Sequence, residues 1–263
     1  EKRQNNISTT HMLQYNNWTI EQNEWLPNEE DSIEQQLTFS NDYLCQTAHF
    51  EEYYSRPQRL CTYIKGIDNP ILNISGISVR LHDERLDLAT WHVKEFYRCL
   101  HKNKPLLERT FVATSPKGAT LRVQAKRQLM PQHEIMLLEY EITSENYTGP
   151  ISLLAMLGGN EKIQNWYPLM NCLEKDQCWL WLQLHDVDVQ LCYAMRWQVL
   201  LNGSPIECRP IKIEKPHTIG YSLTTRIKAG ESCLLRKYVA VVDSRYHKKE
   251  KLITDAVQCL TNL

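Results

Sequence analysis

The sequence predicts an all-β fold: a large antiparallel β-sandwich closed by one C-terminal helix. Three observations predict it. From Trp18 onward, short β-prone runs follow one another, broken by turn residues. One hairpin is spelled out in RTFVATSPKGATLRVQAKR. Only the last stretch, HKKEKLITDAVQCLTNL, reads clearly as helix. Many strands in one unit need two packed sheets to bury their apolar faces.

The elements follow in chain order. Residues 1–17 are polar, with little to bury, and are expected to be loosely held. Residues 18–246 are expected to form the sandwich as one domain, since no internal repeat or low-complexity linker interrupts them. In its clearest hairpin, Thr110–Thr114 and Thr120–Lys126 are the arms, and SPKG is the turn, where Pro116 presets φ and Gly118 supplies a flexible exit. Leu121, Val123 and Ala125 alternate with Arg122, Gln124 and Lys126, which gives one dry face and one wet face. HEIMLLEYEIT and ISLLAML read as further strands around the turn ENYTGP. LNGSP breaks a long strand-rich stretch, and Ala229–Gly230 reads as another hairpin turn. Residues 247–263 close the chain as a helix, with Leu252, Ile253, Ala256, Val257 and Leu260 on one face.

Composition narrows the function. At 263 residues the chain can bury a core without disulfide staples. A formal net charge of −1 gives no field to recruit nucleic acid or an anionic membrane, so neither is an expected partner. The nine cysteines form an odd set with no CxxC, which reads as buried thiols of a reducing compartment and favours the cytoplasm. The chain starts at Glu1 rather than Met, so an exported form stays open. No apolar run approaches the ~18–20 residues of a membrane span.

Several residues could carry chemistry. NDYLCQTAHFEEYY, residues 41–54, places Asn41, Tyr43, His49, Glu51 and Glu52 close together. Adjacent residues of a strand face opposite ways, so Glu51 and Glu52 cannot converge on one bond as paired acid and base. One is expected to be solvated and the other anchored to Arg56 or Arg59. Asp186 and Asp188 would share one face of a strand with His185 opposite, too few ligands for a metal site. No GxSxG or phosphate-binding glycine loop is present. Among the seven tryptophans, Trp179 and Trp181 suit the sandwich core, and Trp166, in QNWYP, is the best candidate for an exposed ring. No catalytic residues, metal or cofactor are assigned.

The order of segments resembles the amino-terminal domain of glycoside hydrolase family 65, the maltose, kojibiose and trehalose phosphorylases and related α-glucoside hydrolases. Trp18, Ile20, Asn41, Tyr43, Leu44, Glu51 and Glu52 match its opening pattern. CTYIKGI (61–67), ERLDL (84–88), the SPKG hairpin and KYVAVVDSRYHKKEKLITDAVQCL are similar to its later segments. The resemblance covers residues 18–263. It implies a galactose mutarotase-like super-sandwich without catalytic residues, followed by a linker and a C-terminal catalytic (α/α)6 barrel of the same parent chain, which is its expected partner. An α-glucoside disaccharide and a homodimer are further expected partners. Asn41, Tyr43, His49, Glu51, Glu52 and Trp166 then become candidates for the substrate rim or the domain interface. Ser40, Asp42 and Cys45 stand where the family has glycine. The alternative is a stand-alone carbohydrate-binding or interaction sandwich.

Overall fold

A computed structural model describes residues 13–56, 62–68, 71–131, 134–158, 166–215 and 218–261. It begins with β1 (Gln14–Tyr15), β2 (Thr19–Gln22), a short helix α1 (Glu30–Gln36), β3 (Phe39–Ser40), β4 (Leu44–Gln46) and β5 (Thr62–Ile64). Then come β6 (Ile77–Leu81), β7 (Glu84–Arg85), β8 (His92–His101), β9 (Leu106–Thr114), β10 (Thr120–Leu129), β11 (Ile135–Ser144) and β12 (Gly149–Gly158). The remainder is β13 (Trp166–Leu173), β14 (Gln177–Leu184), β15 (Gln190–Leu201), β16 (Ser204–Pro205), β17 (Ile211–Lys215), β18 (Thr218–Ile227), β19 (Ser232–Asp243) and α2 (Leu252–Thr261).

The strands form an eleven-stranded sheet in the order β1-β2-β8-β9-β10-β11-β19-β15-β14-β13, with β16 on β15. A five-stranded sheet, β17-β18-β12-β6-β7, lies against it, and β3-β4-β5 make a small third sheet. All pairs are antiparallel among the described strands, as the alternating sequence requires. The hairpin β9–β10 forms as read, with Gly118 at φ 91°, a value that glycine adopts without strain.

The core is the slab between the two larger sheets. Leu121, Val123, Leu138, Ile142, Leu235 and Val239 point into it from the large sheet, and Ile77, Val79, Leu153 and Leu223 from the smaller one. Two turns carry the chain from one sheet to the other, and one of them, Ala229–Gly230, is a turn expected to close a hairpin. ENYTGP joins β11 of the large sheet to β12 of the small one, and Ala229–Gly230 joins β18 to β19. The two crossovers lie together: Gly230 N–H donates to Ser144 O at 2.7 Å, and Ser144 N–H to Glu231 O at 3.0 Å. Each strand beyond these turns finds its partner in the other layer, which period-2 patterning cannot distinguish.

Further expectations are corrected at the periphery. His185, Asp186 and Asp188 lie in the turn between β14 and β15, off any strand face. Trp179 and Trp181 are on the outer side of β14, because Cys178, Leu180 and Leu182 take the inner side. There they flank α2, whose Leu252, Ala256 and Leu260 bury against Ile135, Cys192, Ala194, Ala240 and Val242. Full burial of each leucine contributes about 2 kcal/mol. The eight described cysteines are free thiols.

Candidate functional site

Residues 47–56 run as irregular chain between the sheets, and their side chains meet an unusual surface. The inner face of the large sheet carries arginines among its apolar residues. Register places Arg98 opposite Arg109, Arg109 opposite Ala125, and Ala125 opposite Tyr140. The next inward row holds Leu107, Arg127, Leu138 and Lys237. All four cations are buried. A buried guanidinium is tolerated only when charge and hydrogen bonds compensate it.

The acids come from α1 and the 47–56 segment. Arg109 donates to Glu52 Oε1 at 2.8 Å, to Glu52 Oε2 at 2.5 Å and to Glu51 Oε2 at 2.6 Å. Tyr140 donates to Glu52 Oε2 at 3.1 Å, across the space that the small Ala125 leaves. Arg127 Nε lies 3.2 Å from Glu51 Oε1, and its Nη2 donates to His49 O at 2.9 Å. Arg98 donates to Glu30 Oε1 at 2.6 Å, to Gln22 Oε1 at 2.7 Å and to Ala48 O at 2.6 Å. Three arginines thus meet three carboxylates, Glu30, Glu51 and Glu52, in a lattice sealed from water.

The electrostatics follow from this pairing. Burial works against an ionised Glu51, but Arg109 and Arg127 outweigh it and hold the carboxyl down at about 2. His49 is 1% exposed, and its Nε2 is 2.6 Å from Ser75 Oγ. Burial, with Arg127 alongside, keeps the imidazole well below its usual range, so it is neutral. Glu34 lies one turn from Glu30 on α1, and neither of its carboxylate oxygens has a hydrogen-bond partner among the described residues. Burial and the Glu30 charge push it up to about 8. A protonated Glu34 is what leaves three charges of each sign. Among the described residues Lys237 has no carboxylate partner, and it donates to Gly76 O at 3.0 Å and Met156 O at 2.5 Å. Burial lowers it to about 7.

The structure brings His49, Glu51 and Glu52 together and separates the other candidates. The expectation of one solvated and one anchored glutamate is overturned. Both are buried and both converge on Arg109, because residues 51 and 52 sit in a bend rather than a strand. Arg56 instead donates to Pro27 O, and Arg59 lies outside the described residues. Asn41 Oδ1 accepts the backbone N–H groups of Tyr43 and Leu44 at 2.9 and 2.6 Å, and its amide donates to Met130 O at 2.7 Å. This turn lets Ser40, Asp42 and Cys45 avoid positive φ, so glycine is not needed there. Tyr43 donates to Asp243 Oδ2 at 2.6 Å, and Arg245 grips the same carboxylate at 3.0 and 2.9 Å. The 69%-exposed ring of Tyr246 stands beside Tyr43, 6.2 Å between centroids. Trp166 opens β13 and is 5% exposed, so it presents no exposed ring.

Sequence reasoning missed Arg98, Arg109, Arg127, Glu30, Glu34 and Lys237. A signal existed for Arg127: the alternation Leu121, Val123, Ala125 reaches it as the next dry-face position. Chemically the lattice can hold chain in place. Arg109 and Arg127 hold Glu51 in its charged form, and Glu30, Glu51, Glu52 and the three arginines are all buried in their mutual pairing, away from solvent.

The family described as glycosyl hydrolase family 65, N-terminal domain, matches residues 20–263. No curated protein matches the chain. Among solved structures, a human-microbiome protein named as a kojibiose phosphorylase superposes with a TM-score of 0.83 at 19% identity, over 95% of this chain and 36% of that one. At that identity it speaks for the fold, and this chain spans only about a third of its length. A family GH92 α-mannosidase from Bacteroides thetaiotaomicron aligns over 50% of this chain and 18% of its own, with a TM-score of 0.24 and 8% identity, too slight a likeness to argue from.

Proposed function

The chain belongs to glycosyl hydrolase family 65, as its N-terminal domain, and from that premise we propose that it is the non-catalytic part of an enzyme that cleaves α-glucosides by inverting phosphorolysis or hydrolysis. In such a reaction phosphate or water attacks the anomeric carbon while a carboxylic acid protonates the leaving oxygen. On this proposal the acid belongs to a C-terminal (α/α)6 barrel of the same polypeptide. One observation supports leaving it out of the present chain: Glu51 and Glu52 are both committed to Arg109 inside the sandwich. A general acid needs a carboxyl raised toward neutrality and open to substrate. Glu51 is held at about 2 and is buried. Glu34 is raised, but it too is buried.

The lattice then serves as a mount. It fixes residues 47–52, and the exposed rings of Tyr53 and Tyr246 emerge near the two ends of the 41–54 segment. Those rings, with Tyr43, form the rim offered to a neighbouring domain and its disaccharide. The test is turnover. The purified 263-residue chain should not cleave maltose, kojibiose or trehalose, with or without phosphate, whereas a polypeptide that also carries the barrel should. Phosphate dependence of the latter separates phosphorolysis from hydrolysis. Turnover by the 263-residue chain alone would overturn the proposal.

A further inference from the structure

The outer face of the large sheet, opposite the ionic lattice, carries a second organised set of side chains. Cross-strand register lines up Tyr97, Thr110, Gln124, Glu141 and Leu234 from β8, β9, β10, β11 and β19. One step along the strands, Glu108, Lys126, Glu139 and Arg236 form a parallel row. A strand spacing of about 4.8 Å makes the first row about 19 Å long. The two rows frame an open trough of about 390 Å³.

The residue types in the trough are informative. Glu139 is paired with Arg236, and Glu108 with His101. Gln124, Lys126 and Glu141 make no side-chain hydrogen bond or ion pair among the described residues, although Lys126 and Glu141 are half-buried. The trough therefore presents uncommitted donors and acceptors of both kinds. Its acids, Glu108, Glu139 and Glu141, are nearly balanced by Lys126 and Arg236, which disfavours a strongly charged ligand. The Tyr97 ring, 36% exposed, closes one end, and the aliphatic Leu234 the other. Below the floor, Arg109 and Tyr140 are locked by Glu51 and Glu52, so the trough is preformed.

We infer that this trough binds a neutral oligosaccharide in extended form. Each sugar hydroxyl is both donor and acceptor, which suits a wall of alternating amide, carboxylate, ammonium and hydroxyl groups. The C–H faces of the sugar rings meet Tyr97 and Leu234. Two to four sugar units span the row. The family assignment enters only in choosing glucose oligomers as probes.

Isothermal titration of the 263-residue chain with maltotetraose and cellotetraose tests it. Saturable binding of at least one is expected. Tyr97→Ala, and the pair Gln124→Ala with Glu141→Ala, should each weaken it at least tenfold. Ile211→Ala, on the edge strand of the smaller sheet, should leave it unchanged. Circular dichroism and melting curves verify that the variants are folded. Failure of both tetrasaccharides to bind at millimolar concentration overturns the inference, as does binding that survives all three trough substitutions. Disaccharide cleavage by the longer polypeptide without trough binding defeats only this inference. Trough binding without cleavage defeats only the proposed function.

Discussion

Arg109 and Lys237 both point inward from the same sheet, and both are fully buried, yet their proton affinities are shifted in opposite directions. Arg109 sits on two carboxylates and keeps its charge. Among the described residues Lys237 donates to the carbonyls of Gly76 and Met156 and to no carboxylate, and burial lowers it to about 7. The difference lies in what the facing layer supplies. Opposite β8, β9 and β10 the chain brings α1 and residues 47–56, rich in acid. Opposite β19 it brings β12 and the approach to β6, which offer backbone. Dry surroundings tolerate a charge where counter-charges arrive with it, and otherwise remove it.

The largest effect should come from breaking the paired side. Arg109→Met strands Glu51 and Glu52 in the interior, and the expected loss is about 3–5 kcal/mol in chemical denaturation. Adding Glu51→Gln and Glu52→Gln to it should restore much of that loss. If the triple variant is no more stable than the single one, the comparison fails.

The unpaired side should reveal itself through pH. Folded Lys237 titrates near 7 against an ordinary 10.5, so between those values the unfolded state holds the extra proton. Stability should therefore rise from pH 7 toward 10.5 and fall as pH drops through that window, by about 1.4 kcal/mol per pH unit at most. Lys237→Met should flatten this slope. Glu34 runs the other way. Folded Glu34 titrates near 8 against an ordinary 4.5, so the folded state holds the extra proton and stability falls as pH rises from 4.5 to 8. Glu34→Gln should remove that fall and, at pH 8, exceed the parent by about 1–2 kcal/mol. The smallest effect should be at the surface: Arg122→Ala, which breaks solvent-facing pairs with Glu95 and Glu145, should cost less than about 0.5 kcal/mol in the same denaturation experiment.

Period-2 alternation made the strands around SPKG readable, and the apolar face of α2 made the helix readable. Alternation fixes which side of a strand is dry, but says nothing of which sheet receives the next strand, so the crossover at Ala229–Gly230 reads as a hairpin. The short helix α1 escaped notice because it shows one apolar residue, Ile33, and its other buried contacts are Glu30 and Glu34. Those glutamates look solvent-facing until Arg98 is known to lie beneath them. The candidate segment 41–54 was found by its residue types. The partners of its two glutamates stayed hidden because the cations that hold the segment, Arg98, Arg109 and Arg127, are distant in sequence and lie in strands that otherwise read as apolar.

The most direct test of the ionic lattice is a carboxyl-carbon NMR titration of Glu51. The pairing with Arg109 and Arg127 predicts a flat chemical shift from pH 8 down to 4, with protonation only near 2, where it is coupled to unfolding. A reversible midpoint above pH 5 in the folded protein would show a carboxyl free to exchange its proton. That would contradict the structural role given to Glu51 and reopen the case for an acid within this domain.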